Sequence, residues 1–95
     1  MASYVALASV AVALPATQSL KDKRQIIRSG VAHLRNQFNV SVAEVGALGT
    51  FRRAEIAIAA VSNNRPRLEA IIESAVRFLE RDPRLVLDNL QIEFL

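Results

Sequence analysis

Cysteine is absent from this chain of 95 residues, histidine occurs once, and glycine and proline occur three times each. Each scarcity removes a class of chemistry. Without cysteine the chain forms no disulfide, offers no thiolate to a metal and carries no thiol nucleophile. His33 has no second histidine with which to hold a metal or activate a nucleophile, and its helical position turns it away from the apolar stripe and toward solvent. Gly46 and Gly49 lie between two strand-like segments, and a phosphate-cradling loop needs its glycines between a strand and a helix. The longest apolar run falls short of the roughly 20 residues that a bilayer-spanning helix needs. The expectation is a non-enzymatic protein with no catalytic constellation, no metal, no cofactor and no place in a membrane.

What the chain does have is apolar bulk and unevenly placed charge. At 52% hydrophobic character, 95 residues bury one modest core, which implies a single domain over residues 1–95. Residues 1–53 carry seven Lys and Arg against Asp22 and Glu44, whereas residues 54–95 carry five Arg against seven acids. The first half is therefore where an anionic partner is expected.

Residues 4–24, YVALASVAVALPATQSLKDKR, open apolar and turn basic. A secretion signal would place positive charge before its apolar region, and here nothing basic precedes Tyr4 but the amino terminus. Val10, Val12 and Leu14 alternate with Ser9, Ala11 and Ala13, which is the period of a strand. The segment is read as the first strand of a cytoplasmic protein.

After Pro15 the period becomes helical. Ser19 is placed to cap the helix with Asp22 three residues on, and Leu20, Ile27, Val31, Leu34 and Phe38 form one apolar stripe. Asn39 follows, where a left-handed cap is tolerated. Residues 40–45 and 54–62 are strand-like and are joined by GALGTFRR, a hairpin with a longer loop. SNNRP, residues 62–66, supplies turn and cap residues to a second helix that buries Leu68, Ile71, Ile72, Ala75, Phe78 and Leu79 and stops at Asp82-Pro83. Its Glu69, Glu73, Arg77 and Arg81 stand at i+4 steps, the spacing of exposed charge pairs. In a last strand over about residues 85–94, Leu90, Ile92 and Phe94 alternate with Asn89, Gln91 and Glu93.

Strand, helix, strand, strand, helix, strand is the order of the ferredoxin-like α+β fold. Right-handed crossovers then put both helices on one face of a four-stranded antiparallel sheet of order 4-1-3-2. That topology brings three loops to one end. Lys21, Lys23 and Arg24 at the first helix, Phe51, Arg52 and Arg53 on the hairpin, and Arg81 and Arg84 before the last strand converge there. Lys21, Arg24, Arg28 and Arg35 also share one side of the first helix. Arginine donates to phosphate in bidentate fashion and an aromatic ring stacks on bases, so Lys21, Lys23, Arg24, Arg28, Phe51, Arg52 and Arg53 are the expected nucleic-acid contacts. Glu44 and Glu55 are placed to orient Arg52 and Arg53, while Asp22, Glu80 and Asp82 neutralise part of the same end. A solvated, ion-paired rim is the alternative account.

The sheet face away from the helices carries a second expectation. The central strands present Ser9, Ala11 and Ala13 beside Ala57, Ala59 and Val61, where a face meeting water would be polar. Ser9, Ala11, Ala13, Ala57 and Ala59 are therefore the expected oligomer interface, with Asn89, Gln91 and Glu93 as its polar rim.

SLKDKRQIIRSGVAHLRNQFNVSVAEV, FRRAEIAIAAVS and FLERDPRL together resemble the YlxP-like family of small uncharacterised bacterial proteins over nearly the whole chain. The resemblance implies a ferredoxin-like fold and no established enzymatic activity. It also implies, through gene neighbours that encode a translation initiation factor and ribosome-binding factor A, a role around translation or ribosome assembly. The family's SLKEKR-like signature falls on residues 19–24, and its DLWQRA-like hairpin falls on GTFRRA, where Phe51 stands for a Trp and Gly49 for an acid. The expected function is a cytoplasmic binding protein that engages RNA or the ribosome through the basic end. A homo-oligomeric interaction module built on the Ala-lined face is the alternative.

Overall fold

Alternation within the first strand decides how the layers stack. In β1 (Tyr4–Ala13), Ala6, Ala8, Val10 and Val12 are buried, while Val5 and Ser9 are exposed. The computed structural model describes residues 2–95. The chain continues through α1 (Leu20–Gln37), β2 (Ser41–Gly46), β3 (Arg53–Ser62), α2 (Arg65–Glu80) and β4 (Val86–Phe94). The four strands form one antiparallel sheet in the order β2-β3-β1-β4, which is the expected order read from the other edge. This is the ferredoxin-like βαββαβ arrangement, an α+β fold.

The core lies between the sheet and the helices. Val10 and Val12 of β1, Ile56 and Ile58 of β3 and Val42 of β2 meet Leu68, Ile72, Val76 and Leu79 of α2 and Ile27 and Leu34 of α1. β4 adds Leu87, Leu90, Ile92 and Phe94, which pair with Val12, Val10, Ala8 and Ala6. Phe38 and Phe78 meet edge to face at 5.9 Å where the helices approach, the geometry that aromatic quadrupoles favour.

Local signals account for the helix ends. The Ser19 hydroxyl accepts from the Asp22 N–H at 3.1 Å, and the Asp22 carboxylate reaches past the cap to accept from Gln18 N–H. Asn64 caps α2 by accepting from Arg67 N–H, with Pro66 in the first turn, where its missing N–H costs nothing. The end of α1 departs from expectation. Phe38 is extended (φ −128°, ψ 148°) and closes the helix through its N–H to Leu34, so Asn39 makes no left-handed cap. The chain turns into β2 instead through a tight bend in which Val40 N–H donates to Phe38 O at 2.9 Å.

Both sheet edges have backbone groups occupied by side chains. Arg35 of α1 donates to the Val42 carbonyl on edge strand β2 at 2.7 Å. On the other edge the β1–β4 register shifts between Ala11 and Val12, and the Asn89 side chain accepts from Leu90 N–H. Bulges and occupied backbone groups blunt an edge as a template for further strands.

Candidate functional site

The β1–α1 loop and the β2–β3 hairpin are bound together at one end of the sheet. Leu14 N–H donates to Arg52 O at 2.8 Å, and the buried Thr17 hydroxyl lies within hydrogen-bond reach of Leu14 O and Phe51 O. Arg52 returns the link through Nε to Thr17 O at 3.3 Å. Within the hairpin, Ala47 sits at φ 56° and accepts from Thr50 N–H. A Cβ on the neighbouring Gly46 would displace the Glu55 carboxylate and stand 3.2 Å from Glu55 Cβ. The α2–β4 loop joins the same end: Arg84 shares a cavity wall with Ala16, Thr17 and Asp22.

Lys23 is the centre of this junction. Its side chain is 1% exposed, and its ammonium meets Ala47 O at 2.8 Å, Arg53 O at 3.1 Å and Glu44 Oε2 at 2.9 Å. Two of the ammonium group's three donors thus meet carbonyls, and the carboxylate adds opposite charge. Glu44 Oε2 is itself buried without a hydrogen bond of regular geometry, so the lysine's charge is what balances it. This corrects the expectation that Lys23 contacts a nucleic acid: no phosphate can reach it. Lys23, Ile27, Gly30 and Leu34 stand at i, i+4, i+7 and i+11, and these four are the buried residues of α1. Glu44 likewise pairs with Lys23 and not with Arg52 or Arg53.

The other expected contacts remain at the surface. Lys21, Arg24, Arg28, Arg52 and Arg53 are exposed, and Phe51 is half-buried with the Arg52 guanidinium 5.5 Å from its ring centroid. Among the described residues none of these five cations has a carboxylate within 4.0 Å. In the second half of the chain three of the five arginines are paired. Arg65 pairs with Glu69 at 3.1 Å, Arg77 with Glu73 at 3.3 Å, and Arg84 with Asp82 at 2.7 Å. Hydrogen bonds from the Arg84 side chain hold the Asp82 carboxyl below its ordinary range against the opposing effect of burial, and raise Arg84 in return. Three of the five acids near the basic end are thus engaged: Glu44 by Lys23, Asp82 by Arg84 and Asp22 by Gln18 N–H.

The helix-free face follows the strand register. Across β3 and β1 it presents the pairs Val61 and Val5, Ala59 and Leu7, Ala57 and Ser9, Glu55 and Ala11, and Arg53 and Ala13. Ser41 and Ala43 of β2 extend the middle rows, and Gln91 and Glu93 of β4 border them. Val61 is 58% exposed and Leu95, whose N–H bonds Val5 O, is 79% exposed, so the apolar end of this face lies opposite the basic loops.

A family described as protein of unknown function (DUF503) matches this chain over residues 5–92, from β1 into β4. The chain belongs to the DUF503 family. A relative from Bacillus subtilis (strain 168), the uncharacterized protein YlxP, is 34% identical over 67 residues, which is 70% of this chain and 73% of that protein. In this DUF503 chain the sequence reading missed three features at the site: the burial of Lys23, the Arg35–Val42 link and the burial of Gly30 against Leu79. Lys23 was findable, since the stripe steps seven residues from Leu20 to Ile27 and Lys23 fills the gap.

Proposed function

We propose that this protein is a non-enzymatic cytoplasmic binding protein that engages RNA or a ribonucleoprotein through Lys21, Arg24, Arg28, Arg52 and Arg53. The distribution of ion pairs supports the reading. On α2 and the loop after it Arg65, Arg77 and Arg84 spend their charge on neighbouring acids while Arg67 and Arg81 do not, whereas Lys21, Arg24, Arg28, Arg52 and Arg53 all lack an acidic partner among the described residues. Unpaired guanidinium groups donate in bidentate fashion to phosphate, and the released counterions favour binding. Phe51, at the hairpin tip beside Arg52, adds a ring for an unstacked base.

Filter binding to a single-stranded RNA at several salt concentrations tests this. Arg52→Ser with Arg53→Ser weakens binding across sequences alike and flattens the slope of log affinity against log salt by roughly 0.7 for each lost phosphate contact. Phe51→Ala costs about 1–3 kcal/mol of stacking and leaves the slope nearly unchanged. An unaltered affinity and slope in the double variant removes the hairpin from any RNA contact.

A second reading has its own observation. The helix-free face of Leu7, Ser9, Ala11, Ala13, Ala57 and Ala59 has no cover among the described residues, and both sheet edges have occupied backbone groups. A homo-oligomer built on this face stacks sheet on sheet and does not extend it edge to edge.

A further inference from the structure

A cavity lies outside the basic end and outside the sheet face. It measures about 460 Å³ and opens between the middle of α1 and the C-terminal turn of α2. Gly30 and Leu79 form its floor, and the rings of His33 and Phe78, edge to face at 6.3 Å, form one wall. Phe78 is held from behind by Phe38. The opposite rim is Arg81 and the Asp82–Arg84 turn.

The charges on that rim are not equivalent. Asp82 accepts from the backbone N–H, Nε and Nη2 of Arg84 at 2.7–2.9 Å, so its negative charge is neutralised within the turn. Arg81 has no carboxylate within 4.0 Å among the described residues. The cavity thus combines an apolar floor, an aromatic wall and one unbalanced cation. Ligand sites occupy roughly 300–1,000 Å³ and show this combination of apolar lining with a few convergent polar groups.

We propose that this cavity binds a small planar aromatic anion. The ring lies between the Leu79 floor and the His33–Phe78 wall, and a phosphate or carboxylate on it receives the Arg81 guanidinium. Neither element suffices alone. A bare anion leaves the apolar floor in water, and an uncharged ring leaves Arg81 without a partner. The site is independent of RNA binding, because none of Lys21, Arg24, Arg28, Arg52 and Arg53 lines it.

Titration of the isotopically labelled full chain with phenyl phosphate, followed by amide NMR shifts, tests the proposal. Inorganic phosphate serves as the probe without a ring, and benzyl alcohol as the probe without charge. Phenyl phosphate is expected to give saturable shifts centred on Gly30, His33 and residues 78–84, and to bind at least about tenfold tighter than either control. Arg81→Gln weakens phenyl phosphate by roughly tenfold or more and leaves benzyl alcohol unchanged. Arg67→Gln removes the same charge from the other end of α2 and changes neither. Gly30→Ala keeps the fold, since its Cβ would stand 3.9 Å from Leu79 Cδ2, an ordinary contact, and weakens both ring-bearing probes by filling the floor. The proposal is overturned by shifts that do not saturate below about 10 mM. It is equally overturned by phosphate binding as well as phenyl phosphate, or by Arg81→Gln binding like the unaltered chain.

Discussion

At the hairpin base a charge sits inside the protein, and on the open sheet face apolar side chains sit outside it. Lys23 is 1% exposed and meets three acceptors, while Val61 is 58% exposed and Ala11, Ala57 and Ala59 are only partly covered. The two regions invert the usual rule in opposite senses, and they are not equally complete. Burying an ammonium group costs several kcal/mol, and at Lys23 that cost is offset by two carbonyl acceptors and the opposite charge of Glu44. Nothing among the described residues does the same for the sheet face. The hairpin base is closed by its own residues, and the face is left open to solvent.

Removing one partner at the base separates the two most sharply. Lys23→Met leaves Glu44 with an uncompensated charge and two carbonyls without donors, a loss of about 3–5 kcal/mol of the roughly 5–15 kcal/mol typical of a domain. Urea denaturation reads it directly, and a loss under 1 kcal/mol counts against the junction as drawn. Adding Glu44→Leu to Lys23→Met recovers most of the loss, because an apolar pair can replace a buried ion pair at little cost.

The same kind of substitution on the face acts on association and not on folding. Ala11→Lys with Ala57→Lys is expected to turn an oligomer into monomers in light scattering while shifting the unfolding free energy by no more than about 0.5 kcal/mol. A monomeric unaltered chain at tens of micromolar leaves the face without a self-partner.

The smallest effect belongs to the exposed counterpart of the buried pair. The Asp82 carboxyl is held below its ordinary value of 3.8 by Arg84, so its contribution to stability is present above about pH 4 and disappears as the pH falls through the lowered folded value. Asp82→Asn keeps the turn and removes that contribution. The stability gap between the two proteins is expected to be on the order of 0.2–1 kcal/mol at neutral pH and to close in acid. A gap that widens on acidification contradicts the assignment.

Much of the fold was legible because alternation and helical spacing each had a single reading. Val10, Val12 and Leu14 against Ser9, Ala11 and Ala13 announced β1, and the Ser19 cap, the SNNRP turn and the Asp82-Pro83 stop bounded the helices. The strand order followed from handedness. The site was less legible, and Lys23 shows why. A positive charge was assigned to solvent by type, although its spacing from Ile27 and Leu34 put it on the buried face of α1. Its partners come from elsewhere in the chain, two of them backbone carbonyls that carry no sequence signal. Gly30 was silent for a related reason, since an absent side chain shows its purpose only when Leu79 packs across it.

The strand pairing also governs how the chain folds. β1 is central, yet Tyr4 pairs with Ser62 and Ala6 with Phe94, so neither neighbour of β1 is close to it in sequence. Large loops must close before the middle of the sheet gains any hydrogen bonds, and such topologies fold slowly for their size. By contrast, α1, β2 and β3 are consecutive, and the Lys23 ammonium fastens them from within. The expected order is therefore a local nucleus of α1, β2 and β3, onto which β1 and then β4 condense. Kinetics would show it as a slower folding limb when Lys23 is replaced and a faster unfolding limb when Ile92 is trimmed to Val; the reverse pattern would place the nucleus at β4.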